Sequence, residues 1–157
     1  MNKTIPIAPV RRTVTVAAPP ARAFHAFTAN IGLWWPKSHH VSAVEPETIV
    51  IEPRPGGRWF ERAPDGVECD VGKVLTWEPP ARLVLAWQLD ASFRYQQDLV
   101  TEVEVRFIPD GAAATRVEFE HRNLERFGAH AETIRGKIGA PQGWTAILDL
   151  YAEFANR

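Results

Sequence analysis

GGRWFERAPDGVECDVGKVLTWEPPARLVLAW, residues 56–87, decides the fold. Within it, Arg58 to Arg62 places Trp59 and Glu61 on one face and Phe60 on the other, the two-residue period of a strand. Pro64, Asp65 and Gly66 supply a hairpin turn into a second strand, Val67 to Trp77, in which Gly72 marks a bulge or a close backbone approach. Pro79 and Pro80 close that strand. Arg82 to Leu89 starts a third, with Leu83, Leu85 and Trp87 on one face. Strands joined by turns this short pair antiparallel.

The pattern extends in both directions. Upstream, β-branched Thr48 to Ile51 leads into the turn at Pro53, Pro55, Gly56 and Gly57. Downstream, Thr101 to Ile108 carries Val103, Val105 and Phe107 on one face, and after Pro109, Asp110 and Gly111 a last strand carries Val117, Phe119 and His121. A separate strand, Val10 to Val16, stops at Pro19 and Pro20. Phe24 and Phe27 then mark a short helix over Ala21 to Phe27, and Ile31, Leu33, Trp34 and Trp35 mark a second turn that Pro36 ends. The period changes after the last strand: Leu124, Phe127, Ala131, Ile134 and Ile138 predict a loosely specified helix across Gly128 and Gly136. Trp144, Ile147, Leu148, Tyr151 and Phe154 predict a final helix of about three to four turns, whose apolar stripe must face the sheet. The expected class is α+β: a curved antiparallel sheet of about seven strands around a C-terminal helix, with two short helices after the first strand. All 157 residues form one domain in this reading, with the first nine or so a flexible or edge segment.

Composition narrows the partners. Eighteen Lys and Arg against nineteen Asp and Glu give a net charge of −1, so there is no basic stripe for nucleic acid. One Cys makes no internal disulfide, and no leader or membrane-length apolar run is visible, so a cytoplasmic setting is expected. Six Trp beside thirteen Pro suit a protein that shapes a pocket, although a bulky ordinary core has the same composition.

Several strings, taken together, resemble a known family: Trp34-Trp35-Pro36 with His39 and His40, Gly56-Gly57-Arg58-Trp59-Phe60-Glu61, Asp65-Gly66, Gly72-Lys73-Val74-Leu75, Trp77-Glu78-Pro79-Pro80, Arg82-Leu83-Val84-Leu85 with Trp87, Val117-Glu118-Phe119-Glu120-His121, and Gly143-Trp144. They look like the activator-of-heat-shock-ATPase homologue-like branch of the START-like, or SRPBCC, superfamily, and the likeness covers nearly the whole chain. The resemblance implies the helix-grip fold and a cavity between the sheet and the C-terminal helix that relatives use for apolar or amphipathic small molecules. The superfamily hosts carriers, receptors, aromatases and cyclases on one scaffold, so fold alone does not select the activity.

The in-phase residues name the walls of such a cavity: Trp34, Trp35, Trp59, Cys69, Val71, Trp87, Trp144, Leu148 and Tyr151. Glu61 and His121 would be its polar contacts and His39 or His40 a gate. A Glu facing an apolar interior needs a partner or an elevated pKa, and one at the sheet edge pairs with Arg instead. His121 is either a satisfied core histidine or, if it reaches the cavity, the best general-base candidate. Cys69 with His121 would make a Cys–His nucleophile, but nothing near Cys69 supplies the electropositive setting that lowers a thiol pKa. No metal-ligand spacing, phosphate loop, GxSxG or dinucleotide motif is present, so no metal or cofactor is expected and no catalytic residue is assigned. The leading reading is a binding protein for an apolar, aromatic or lipid-like small molecule, as monomer or homodimer. A cyclase-, isomerase- or hydrolase-like enzyme working through His121 and Glu61, and a co-chaperone-like interaction module, are the alternatives.

Overall fold

Seven antiparallel strands form one curled sheet in the computed structural model, in which residues 7–41 and 44–157 are described. In chain order they are β1 (Val10–Val16), β2 (Thr48–Ile51), β3 (Arg58–Arg62), β4 (Glu68–Glu78), β5 (Arg82–Trp87), β6 (Thr101–Pro109) and β7 (Thr115–Arg122). The spatial order is β1-β7-β6-β5-β4-β3-β2. Six strands therefore follow one another as a meander, and β1 closes the far edge beside β7. Helices α1 (Pro20–Thr28) and α2 (Ile31–Trp34) carry the chain from that edge to the opposite one. Helix α4 (Ala146–Ala155) packs on α1, α2 and β1, which places it within the curl.

The register explains the glycine and the aromatics of the central strands. Gly72 pairs with Trp59 on one side and Trp87 on the other, and a bulge lies between Trp59 and Phe60. A Cβ on Gly72 would collide with the Ala86 carbonyl oxygen and touch Trp59 Cε3. The two large indoles thus meet across a position that has no side chain.

On the outer face Glu104 and Glu120 stand directly opposite each other across β6 and β7, a repulsive arrangement by itself. Arg122 lies between them, 2.8 Å from Glu104 and 3.1 Å from Glu120, and also bonds Glu102 at 2.9 Å. Arg82 donates to Glu104 as well, and Arg11 to Glu120 at 2.6 Å. Burial alone would raise the Glu104 carboxyl, but the bonds from Arg82 and Arg122 hold it below its ordinary pKa.

The C-terminal third departs from the expected single helix over Leu124 to Ile138. Leu124–His130 is a 3₁₀ stretch, and Gly128, at φ 63°, breaks it before α3 (Ala131–Ile138). The final helix also starts later than its stripe predicts: Pro141–Thr145, including Trp144, forms a wide turn with non-helical Gly143, and α4 spans ten residues. A Cβ at Gly143 would collide with the Ile138 carbonyl oxygen, so the chain must reverse there with no side chain. Of the first nine residues, 1–6 lie outside the described part, while Arg135 holds the Ala8 and Pro9 carbonyls at 2.7 and 3.5 Å. Among the described residues no helix is long and apolar enough to cross a membrane.

Gly72→Ala should lower stability by about 2 kcal/mol, a fall of about 4–8 °C in Tm, because the new methyl group meets backbone. Thermal unfolding followed by circular dichroism checks this, and an unchanged Tm would contradict the close approach of β4 and β5.

Candidate functional site

Beneath the segment that follows α2 lies a half-open cavity of about 480 Å³. Ile49 of β2, Val71 of β4, Trp87 of β5, Leu89 and Ile147 of α4 supply its apolar wall, and Glu61 of β3 its buried carboxylate. Trp35, Ser38, His39, His40 and Val41 roof it, and Ser92 and Phe93 stand at the mouth.

The roof is held by hydrogen bonds. Trp35 has left the helix, with ψ 130°, as a residue before proline does. Its indole N–H donates to the His39 carbonyl at 3.0 Å. The Gln142 carbonyl is 2.8 Å from His39 Nε2 and can only accept, so that nitrogen carries a proton. Ser38 Oγ lies 3.0 Å from the other ring nitrogen. The Val41 amide donates to Glu61 Oε2 at 2.6 Å, which ties the end of the roof to the floor. The mouth is shaped by Asp90, whose carboxylate accepts from the amides of Ser92 and Arg94 and from the Gln96 side chain. The Arg94 amide is the main reason that carboxyl sits below its usual pKa. Phe93, at φ 58°, projects half-exposed from this loop.

Four tryptophans, Trp35 and Trp87 at the cavity and Trp59 and Trp144 behind it, close a ring of edge-to-face contacts. Trp35 meets Trp59 at 6.0 Å, Trp59 meets Trp87 at 5.7 Å, Trp87 meets Trp144 at 5.4 Å, and Trp144 returns to Trp35 at 5.9 Å. Each such pair contributes about 0.5–1.5 kcal/mol beyond its burial. The Trp87 ring also lies 5.3 Å from His121, so it fills the space between Trp59, His121 and Trp144.

His121 is fully buried with both nitrogens used. The indole N–H of Trp144 donates to Nδ1 at 3.1 Å, which fixes the proton on Nε2. Nε2–H then donates to Thr101 Oγ1 at 2.8 Å, and the Thr101 hydroxyl donates to the Trp87 carbonyl at 3.2 Å. Burial lowers the His121 pKa from 6.5 to about 3. This is a satisfied core histidine, and Trp87 and Trp144 separate it from the cavity.

Of the residues expected from sequence at the cavity, Trp35, His39, His40, Glu61, Val71 and Trp87 line it. Trp59, His121 and Trp144 form the layer behind. Trp34 donates its N–H to the Ala26 carbonyl at 2.8 Å and packs on Phe27 and Tyr151. Tyr151 donates to the Ala23 carbonyl at 2.8 Å, tying α4 to α1, and burial raises its pKa; Leu148 is buried on the same helix. Cys69 pairs with Glu61 in the register but lies outside the lining. Desolvation, then the charges of Glu61 and Asp70, raises its thiol pKa, the opposite of what a nucleophile needs.

Sequence reasoning missed Ser38, Val41, Ile49, Leu89, Ser92, Phe93 and Ile147. In the sequence Ile49 carries only the signal of a β-branched strand, and Ile147 only that of the apolar stripe of the final helix. The loop after Leu89 carried a usable signal: a connection of about a dozen residues, in a meander of tight turns, with Phe93 and Tyr95 in it.

Among the described residues three buried side-chain atoms have no hydrogen-bond partner: Trp59 Nε1, Gln88 Oε1 and Asn123 Oδ1. A donor so buried costs about 1–3 kcal/mol. No group of three or more His, Cys, Asp or Glu among the described residues could hold a metal ion.

The protein family described as Activator of Hsp90 ATPase homolog 1-like protein matches residues 17–155. A solved structure described as an anthrahydroquino-γ-pyrone synthase is similar at 36% identity and TM-score 0.66, covering 95% of this chain and 97% of that one. A self-sacrificing resistance protein from Micromonospora echinospora is similar at 32% identity and TM-score 0.70, covering 92% of each chain. A third, a protein designated CalU16 from the same organism, shares the fold at 21% identity and TM-score 0.59, covering 96% of this chain and 84% of that one. No curated protein matches the sequence.

Because the folded state holds His121 neutral, protonation favours the unfolded chain below pH 6.5 and stability falls with pH toward about 3. From pH 7 to pH 5 the loss should be about 2 kcal/mol. Denaturant unfolding across this range checks it: the slope should flatten in His121→Gln, and an equal slope in both proteins would contradict the assignment.

Proposed function

The chain belongs to the Activator of Hsp90 ATPase homolog 1-like family, and from that premise we propose that it binds a flat, largely apolar small molecule of polycyclic aromatic type in the cavity beneath the 36–41 segment. The observation that carries this reading is the cavity's chemistry: an apolar wall with a tryptophan face, one buried carboxylate, and polar groups gathered at the roof and mouth. In this reading Trp87 stacks on the ring system and Ile49, Val71, Leu89 and Ile147 exclude water. Ser38, His39, His40 and Ser92 meet oxygen substituents at the open side. Support comes from the two relatives above 30% identity, one described as an anthrahydroquino-γ-pyrone synthase and the other as a self-sacrificing resistance protein.

A second reading, an enzyme acting on such a molecule, is favoured by Glu61 and two histidines facing one space. With His121 behind the tryptophans, acid–base work in that reading runs on Glu61 with His39 or His40.

Val71 lies in the wall and points at open volume, so Val71→Phe should reduce affinity for a soluble aromatic such as anthraquinone-2-sulfonate at least tenfold while moving Tm by only a few degrees. Titration followed by intrinsic tryptophan fluorescence checks this. No saturable response from the wild-type protein to any polycyclic aromatic up to millimolar concentration would remove the binding reading. For the enzyme reading, loss of turnover in Glu61→Gln with binding retained is the expected result.

A further inference from the structure

Trp34, Trp35 and Trp144 each give their indole N–H to an acceptor, the Ala26 carbonyl, the His39 carbonyl and His121 Nδ1 respectively. Trp59 is more buried than any of these, at 1% exposure, yet its Nε1 has no partner. The orientation of its ring follows from Gly72. Beyond the Ala86 carbonyl group, the next atom to a Cβ placed there is Trp59 Cε3, at 3.4 Å, so the benzo edge faces β4 and, across it, Trp87. Nε1 lies on the opposite flank of an indole, so the donor is turned away from β4. Trp35, whose ring is perpendicular to that of Trp59 at 6.0 Å, lines the cavity. It is also only half-buried, and its own N–H is bonded within its own segment, to His39 four residues on.

We propose that the Trp59 N–H is a recognition donor for an acceptor oxygen, a quinone or ketone carbonyl, on a flat aromatic ligand that turns the Trp35 ring aside as it seats. This rests on the cavity being the ligand site and specifies the ligand further: an aromatic system with a carbonyl on its inner edge, which an otherwise similar hydrocarbon lacks. An orphaned donor recovers a full hydrogen bond when such an oxygen arrives, so it discriminates between the two more sharply than an already satisfied group does.

The test compares anthraquinone-2-sulfonate with anthracene-2-sulfonate, which share the sulfonate and ring outline but differ in the carbonyls. The wild-type protein should bind the quinone about tenfold more tightly, equivalent to about 1.4 kcal/mol. Trp59→Phe, which keeps an aromatic ring and removes the N–H, should bring the two affinities to near equality. A preference that survives unchanged in Trp59→Phe overturns the proposal while leaving the cavity reading intact. Absence of binding by both compounds to the wild-type protein overturns both. Should Trp59→Phe fail to fold, the indole N–H resonance of Trp59 in the wild-type protein decides: a downfield shift with the quinone alone is expected, and an unmoved resonance overturns the proposal.

Discussion

The hydrogen-bond chain Trp144 to His121 to Thr101 to the Trp87 carbonyl fixes where this fold is solid and where it is hollow. It joins the turn before α4 to β7, β6 and β5 through groups whose donors and acceptors match at every step. A buried imidazole is tolerable only when both nitrogens are used, and here they are. The Trp144 N–H is the donor that Nδ1 accepts, so this bond sets the rotation of the indole together with the seating of the turn that carries it.

From that anchor the rest follows in layers. Trp144 and Trp87, placed by the chain, close the four-membered ring of tryptophans with Trp59 and Trp35. Gly72 makes the Trp59–Trp87 contact possible, because no side chain separates the two strands there. The interior end of the sheet is therefore filled by rings, and the open volume is displaced toward the segment after α2 and the loop after β5. The same displacement assigns chemistry: Glu61, His39 and His40 face that volume, whereas His121 does not.

The sequence made the sheet plain because each strand carries its own period-two signature and its own turn residues. Arg58 to Arg62 and Thr48 to Ile51 match their expected bounds, and the family resemblance rests on the same strings. The C-terminal third was less legible. A periodic stripe from Leu124 to Ile138 does not reveal that Gly128 takes a left-handed conformation, nor that Gly143 must reverse the chain against the Ile138 carbonyl. The site was half legible. Phase along a strand identifies which side chains point inward, and Trp59, Trp87 and His121, which share that phase, are all buried. Phase says nothing about depth: it cannot separate Trp87, which lines the cavity, from His121, which Trp87 covers. Ser92 and Phe93 escaped for a different reason, since loops have no period and their position depends on the Asp90 carboxylate gathering nearby amides.

The protonation of His121 is the most direct test of this arrangement, because only a closed tryptophan layer keeps that ring dry. Ring-nitrogen NMR shifts of His121, followed from pH 8 to pH 4, should report a neutral imidazole with its proton on Nε2 throughout, in line with a pKa near 3. A titration midpoint close to 6.5 would mean that water reaches His121, that Trp87 does not seal it, and that the cavity extends through the place where the rings are packed.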